Sequence, residues 1–425
     1  MTVYSFTTDQ STALSLDASD GLASFRDQFH LPIRDGKAQI YLCGQSLGLQ
    51  PKRVAELLNE ELKQWQTHAV DGHFEGGRPW LSYHELLTPG LAELCGALPS
   101  EVVAMNTLTV NLHLMLVSFY RPTPQRFKIL IEDSAFPTDR YATESQIRLH
   151  GYDPASTLIC IAPRPGEGII RTEDIIDKLK QEGPTIATVM LPGVQYLSGQ
   201  LFDMSAITQA AHQQGCTVGF DLAHAIGNVP LQLHDWNVDY AMWCSYKYLN
   251  SGPGSIAGCF VHQRHATENL PRLAGWWGHD KSSRFAMPNE YSPIAGAEGW
   301  QLSNPSIFAC APLLASLELF QQAGMTRLRE KSLRLTAYLR YLLDAWLEKT
   351  VSIITPADDA AHGSQLSLRL NTSVDKAKQI HQQLLERGVM VDWRNPDIIR
   401  VAPVPLYNRY IDVRQFVQVM REIMQ

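Results

Sequence analysis

"CTVGFDLAHAIGNVPLQLHDWNVDYAMWCSYKYLNSGPG", residues 216–254, contains two short apolar runs that each end on ionisable groups. The first, "CTVGFD" (216–221), closes on Asp221, with His224 three residues on. The second, "VDYAMWCS" (238–245), leads into Tyr246, Lys247 and a glycine-rich loop. Both are nearly continuous in apolar residues, as strands buried on two faces are. A carboxylate and a lysine at buried strand ends are costly unless neutralised, paired or chemically converted. Such positions mark the carboxyl edge of an open α/β sheet, where ligands bind.

The same pattern extends outward. "RFKILIED" (126–133), "STLICIAP" (156–163), "IATVMLP" (186–192) and "SIAGCFV" (255–261) are further strand candidates. Between them, "RTEDIIDKLKQEG", closed by Gly183, and "DMSAITQAAHQQG", closed by Gly215, read as helices. This alternation, from about residue 100 to 265, predicts an α/β fold with a mostly parallel sheet flanked by helices. After Asn304 the texture changes to two long helices, "SIFACAPLLASLELFQQAG" and "MTRLREKSLRLTAYLRYLLDAWLEK". Short strands "SQLSLRL" and "IIRVAPV" then bracket the helix "VDKAKQIHQQLLERG", which predicts a smaller C-terminal α+β domain. The first fifty residues read as polar and irregular up to "IYLCGQSLGLQPKRV", where Gly44 and Gly48 mark a turn before a helix near Pro51. The expected division is a segment 1–50 associated with the small domain, a large domain 51–310 and a small domain 311–425.

Composition excludes several classes of function. The 425 residues, 45% hydrophobic and 19% charged, suffice for one large core and a smaller second one. The formal charge of -7, with no basic runs, argues against a nucleic-acid partner. No apolar stretch has the length of a bilayer span, and "MTVYSFTTDQSTALSLD" lacks a basic segment followed by an apolar one. A cytoplasmic protein without membrane attachment is expected. The seven cysteines form no CxxC pair, and Cys160, Cys216, Cys244 and Cys259 lie in apolar strand-like runs, which predicts buried free thiols. No metal site is expected.

One conversion that suits a lysine at a strand end is a Schiff base with an aldehyde. In pyridoxal phosphate enzymes a lysine holds the cofactor as an imine, and an acid pairs with the pyridinium nitrogen. Lys247 and Asp221 stand one βαβ step apart and so suit those roles, with His224 near the ring. A phosphate needs donors at a helix start, and "MNTLTVNLHLMLVSFY" offers Thr107 and Thr109 before a long apolar helix. In "EDSAFPTDRYATESQI", Phe136 follows a strand and suits stacking on a ring, with Asp139 nearby. Each residue alone has a structural explanation: Lys247 as a snorkelling lysine, Asp221 as a helix cap, Thr109 as a capping threonine, Phe136 as a core aromatic. Their joint occurrence at strand ends favours the cofactor reading.

Seven ordered segments carry a family resemblance: "LCGQSLGLQP", "NTLTVNLHL", "FPTDRY", "GFDLAHAIGN", "WCSYKYLNSGPG", "WWGH" and "IRVAPVPLYN". Together they resemble kynureninase, a fold-type-I pyridoxal phosphate enzyme related to class-V aminotransferases, over nearly the whole chain. "GFDLAH" is shared widely among class-V relatives, whereas "SYKYLN" with "WWGH" and "RVAPVPLYN" is more specific. The resemblance implies hydrolytic cleavage of L-kynurenine or 3-hydroxy-L-kynurenine to anthranilate or 3-hydroxyanthranilate and L-alanine, in tryptophan catabolism and NAD biosynthesis. It implies that Lys247 holds the cofactor and Asp221 pairs with the ring nitrogen, with His224 as a ring neighbour. Leu108, Thr109 and Tyr246 would contact the phosphate end, Phe136 would stack on the pyridine, and Pro137, Thr138 and Asp139 would adjoin it. Lys247 and Tyr246 would carry the proton transfers. Trp276 and Asn304 would reach the cofactor from the partner subunit of a homodimer. Ser46, His73, His279, Asn304 and Arg400 would surround the substrate, with Arg400 suited to clamping its carboxylate. Pro192 departs from the pattern, since some relatives place a serine there and proline supplies no hydroxyl. The rival is another class-V enzyme, an aminotransferase or a cysteine desulfurase. A desulfurase needs a nucleophilic cysteine on a mobile loop, whereas Cys310 lies in an apolar helical run. A catalytically silent, cofactor-binding scaffold or regulator would not need the complete lysine, aspartate and tyrosine set.

Overall fold

Seven strands build one central sheet in a computed structural model that describes residues 6–425. In chain order they are β1 (Val102–Ala104), β2 (Lys128–Glu132), β3 (Leu158–Ile161), β4 (Ile186–Pro192), β5 (Thr217–Asp221), β6 (Tyr240–Trp243) and β7 (Gly258–Val261). Their spatial order is β1-β7-β6-β5-β4-β2-β3. The block from β6 to β3 is parallel throughout, and β7 runs antiparallel to both β6 and β1. The mostly parallel sheet read from the sequence is therefore present. β1 was not foreseen, being only three residues long, and the reversed direction of β7 is invisible in its composition.

Alternation along each strand separates two apolar layers. Val189, Leu191, Val218, Phe220, Ala241 and Trp243 face one core, and Met190, Tyr240 and Met242 face the other. Helices cover both faces for local reasons. Thr172–Glu182 begins with Glu173 and Asp174 in its first turn and ends at Gly183. Met204–Gln213 starts where the Asp203 carboxylate accepts from Ala206 N–H at 2.9 Å, and it stops at Gly215, whose φ of 75° suits glycine.

A second, antiparallel sheet lies C-terminal to this one: β8 (Val351–Ile353), β9 (Leu366–Leu370), β10 (Asp392–Arg394) and β11 (Ile398–Val401), in the order β8-β9-β11-β10. It shares a core with the helices Met325–Leu347, Val374–Glu386 and Tyr410–Met424. The helix Ile307–Ala323, which the expected boundary at residue 310 cuts, packs in the first core through Cys310, Leu313, Leu317 and Phe320. The N-terminal segment is less irregular than its composition suggests. Gln10–Ala18 is a helix, and its Ala13 and Leu16 join the second core while Leu22, Phe29 and Leu49 join the first. All seven cysteines are free thiols; Cys216, Cys244 and Cys259 are buried as expected, but Cys160 is only half-buried at the edge strand β3. Among the described residues no single helix is long and apolar enough to cross a membrane.

Candidate active site

The parallel register brings the two decisive strand ends together. Pro192 at the end of β4 pairs with Asp221, and Asp221 pairs with Met242, so the chain leaving β6 carries Tyr246 and Lys247 past the edge where Asp221 ends. There Lys247 Nζ lies 3.0 Å from His224 Nε2 and 5.9 Å from the centroid of the Phe136 ring. A cleft of ≈ 160 Å³ opens at this point. Its walls come from four places: Thr107, Leu108 and Thr109 at the start of the helix Leu108–Phe119; Phe136, Thr138 and Asp139 after β2; Asp221 and His224 after β5; Tyr246 and Lys247 after β6. Pro192 also lines it. Pro137 does not; it is the first residue of the helix Pro137–Leu149, where its fixed φ is preorganised.

The loop holding Lys247 is itself wedged in place. Gly48 N–H donates to Tyr246 O at 2.8 Å, and a Cβ on Gly48 would stand 2.3 Å from the Lys247 carbonyl oxygen. The glycines of "CGQSLG" therefore serve more than a turn, since Gly48 permits backbone-to-backbone contact with the lysine's own segment.

Charge is unevenly distributed in the cleft. Burial, then the nearby cations Lys247, Arg400 and Arg394, hold the His224 imidazole well below its usual pKa, so it is neutral. Asp139 and Asp221 are both buried, and their carboxyls meet in hydrogen-bonding contact. Burial raises both above the usual carboxylate range, and the pair is built to share a proton. Asp221 is the better anion of the two, because Lys247 and the Ala223 N–H, 2.7 Å from its Oδ1, favour its charged form. Asp139 Oδ1 has no partner among the described residues. Burial likewise raises the pKa of Tyr246, which stays a phenol at neutral pH.

The outer residues form a different set. Arg400 is fully buried behind the cleft, its Nη1 donating to Tyr196 O at 2.7 Å and its Nε paired with Asp392 at 2.5 Å. Ser46 and Asn304 are exposed. His73 packs edge-on against Trp80, with Nδ1 3.0 Å from Val70 O. His279 is buried within its own loop, with Nε2 2.9 Å from Ser283 Oγ and Nδ1 accepting from Ser292 N–H at 3.1 Å. Trp276 donates Nε1–H to Arg284 O at 3.2 Å and stacks edge-on with Phe285, which in turn contacts Phe74 beside His73. Ser46, His73, Trp276, His279 and Asn304 thus do not line the Lys247 cleft of their own chain. As for metal chemistry, Glu101, His234 and His262 bring three side chains of metal-ligating type together. Their atoms are taken up by hydrogen bonds from the Leu98, Gln263 and Arg264 N–H groups and by the His234 ring.

Comparison with known proteins follows the whole chain. Residues 328–420 match the family model described as the kynureninase C-terminal domain. Curated relatives named kynureninase include that of Koribacter versatilis, 55% identical over 98% of this chain and 98% of its own length. Those of Myxococcus xanthus (55%, covering 99% and 98%) and Stenotrophomonas maltophilia (54%, covering 96% and 96%) are alike. This chain belongs to the kynureninase family.

Solved structures similar to this kynureninase-family chain share its fold at low identity. The cystine C–S lyase C-DES, in a complex with cysteine persulfide, superposes with a TM-score of 0.76 at 18% identity, covering 90% of this chain and 97% of that one. The cysteine desulfurase CsdA of Escherichia coli gives 0.76 at 17%, covering 95% and 98%. Four residues at the cleft of this family member escaped the sequence reading: Glu132, Val194, Tyr196 and Ala223. Glu132 ends an apolar strand just as Asp221 does, so the same signal was there to be used. Tyr196 and its neighbour Gln195 lie in an irregular loop, where no periodicity points inward.

Proposed function

We propose that this chain is a pyridoxal phosphate-dependent hydrolase that cleaves L-kynurenine, or its 3-hydroxy form, between the β- and γ-carbons to give anthranilate, or its 3-hydroxy form, and L-alanine. The observation that carries the reading is the joint placement of Lys247 against neutral His224 and of the proton-sharing pair Asp139–Asp221 in one cleft of a kynureninase-family chain.

The residues fit the cofactor. The start of the helix Leu108–Phe119 offers unpaired backbone N–H groups and the Thr107 and Thr109 hydroxyls to a phosphate. Phe136, 38% exposed at the cleft, offers a face to a ring, and Asp221 offers an anion to a ring nitrogen. His224 Nδ1, buried without a partner, awaits a donor or acceptor there. Pro192 adds only an apolar wall. When bound, pyridoxal phosphate supplies an electron sink for negative charge at the α- and β-carbons of an amino acid.

The chain's own groups then divide the work. Lys247 holds the cofactor at rest and moves the proton at the substrate α-carbon. Tyr246, still protonated at neutral pH, delivers a proton to the β-carbon that becomes the alanine methyl. Arg400 presents a guanidinium to the substrate carboxylate; Asp392 and Tyr196 O fix its angle. Water adds across the γ-carbonyl, so the products sum to substrate plus one water.

In this reading the chain is a cytoplasmic homodimer in tryptophan catabolism and NAD biosynthesis. Trp276 and Asn304 then serve the partner's cofactor, and Ser46, His73 and His279 complete the substrate pocket. Their exposure, or their distance from the Lys247 cleft within one chain, supports that arrangement. The desulfurase alternative has less support, because burial pushes the Cys310 thiol up to about 12, where it is inert.

The deciding experiment incubates purified protein with pyridoxal phosphate and L-kynurenine and detects products by mass spectrometry. Anthranilate and alanine in equal amounts, absent with Lys247→Ala, are expected. Kynurenic acid without alanine would mean transamination.

A further inference from the structure

Glu132 is the last residue of β2, and its side chain lines the Lys247 cleft while remaining 2% exposed. One weak hydrogen bond reaches it, from Gln195 Nε2 to Oε1 at 3.4 Å. Gln195 has little freedom to improve that contact. Its Oε1 accepts from Leu197 N–H at 2.6 Å and Ser198 N–H at 2.7 Å, and its Nε2 also donates to Ser134 O at 3.3 Å. A carboxylate buried with so little compensation is destabilising, and a glutamine of the same shape would cost less. Residues held at such a cost at a ligand-binding edge mark function more often than packing.

The groups facing Glu132 are largely acidic. Asp133 adjoins it on its own strand end, Asp221 faces it from β5 and Asp139 from the helix Pro137–Leu149; Lys247 lies beyond Asp139. Glu132 adds its negative charge to the surroundings of both Asp139 and Asp221, and Lys247 favours the charged form of both, but only Asp221 also accepts the Ala223 N–H, at 2.7 Å. The shared proton is thereby driven onto Asp139, which donates it to Asp221.

We propose that Glu132 is a positioning residue for the cofactor: a third carboxylate that, acting through Asp139, keeps Asp221 as the charged partner of the ring nitrogen. The inference rests on the pyridoxal phosphate reading above. It adds a residue to the site, and it makes the proton affinity of the bound cofactor depend on a group that does not hold it. Burial and then the charges of Asp221 and Asp133, against the Gln195 hydrogen bond, place the Glu132 carboxyl at about 7, so its charge is changing at neutral pH.

The test compares the holoenzyme with E132Q and E132D, reading the pH midpoint of the bound cofactor's visible absorbance without substrate and the pH profile of kcat. Removing a nearby negative charge disfavours protonated, cationic forms of the cofactor, so E132Q should shift the midpoint to lower pH by about half to one unit. E132D, which withdraws the charge by one methylene, should shift it less in the same direction. A midpoint in E132Q indistinguishable from the parent's overturns the proposal, as does an E132D midpoint equal to that of E132Q, which would make the role one of shape. Should E132Q not fold, an unmoved midpoint in E132D overturns it. A parent protein that takes up no cofactor overturns the functional reading itself, and this inference with it. A parent that makes anthranilate and alanine while both variants titrate as it does overturns only the role of Glu132.

Discussion

Individual residues carry most of what can be tested, because the cleft concentrates groups whose protonation is set by burial. Tyr246 keeps its proton at neutral pH, so it can serve as an acid only if that proton is delivered and restored within the cycle. Tyr246→Phe, assayed at saturating cofactor, should lose about 10²–10⁴-fold in kcat, measured as alanine release; the parent rate in that variant would remove the proton role. Arg400 is fixed by Asp392 and Tyr196 O, which leaves the remainder of its fork for a carboxylate. Arg400→Lys keeps a charge but not the fork, so KM for kynurenine should rise by about 10-fold or more with a smaller change in kcat, in steady-state assays. Tyr246 and Arg400 were legible through the family resemblance alone, whereas Asp221 and Lys247 stand out as ionisable groups at the ends of apolar runs. Glu132 ends its own run in the same way and was overlooked beside the flanking Asp133. Asp392 and Gln195 act only through other side chains, and no spacing announces them.

Elements show the same division between what repeats and what is unique. The five parallel strands were legible to within about two residues because they are nearly continuous apolar runs, and two of the helices between them close on glycines. β1, β8 and β10 were not, since three residues are too short for any period to emerge. The glycines of "CGQSLG" mark a turn in the sequence, but the segment's second role depends on contact with a loop about 200 residues away. Gly48→Ala forces a Cβ into the Lys247 carbonyl, so activity should fall by about 10²-fold with only a modest loss in Tm, as judged by paired activity and melting measurements. A second knot ties the sheet's other end. Asp239, just before β6, accepts from Val218 N–H at 2.7 Å and meets His212, His265 and Arg264. Burial opposes its charge, but these hydrogen bonds and the arginine outweigh it, and Asp239 lies far below the usual carboxylate range. Burial also lowers His265, yet its bonds to Asp239 and Glu268 raise it overall. A raised histidine stabilises fully below its unfolded value and loses that contribution as pH climbs through its folded value. Tm of the parent should therefore fall as pH rises above the usual histidine value of about 6.5, while Asp239→Asn melts lower and with a flatter dependence.

In the molecule as a whole, one outer face of the chain is aromatic. Phe74, Trp276 and Phe285 are 60%, 41% and 50% exposed and lie together near His73. Exposed apolar groups gathered on one face suit a partner surface better than solvent. In a two-fold dimer each such face would meet its equivalent region on the other copy, so a residue absent from its own cleft can complete the opposite one. That arrangement makes a sharp prediction for mixed dimers. Lys247→Ala disables the cleft of its own chain, whereas Trp276→Ala, if Trp276 acts across the interface, disables the partner's. A hybrid of the two places both defects in one cleft and leaves the other intact. Co-refolding equal amounts of the two impaired proteins should therefore restore about one quarter of the parent's sites, since half of the dimers are hybrids with one working cleft each. Activity that stays at the mean of the two separate variants would place Trp276 in the cleft of its own chain and reassign the aromatic surface to another partner.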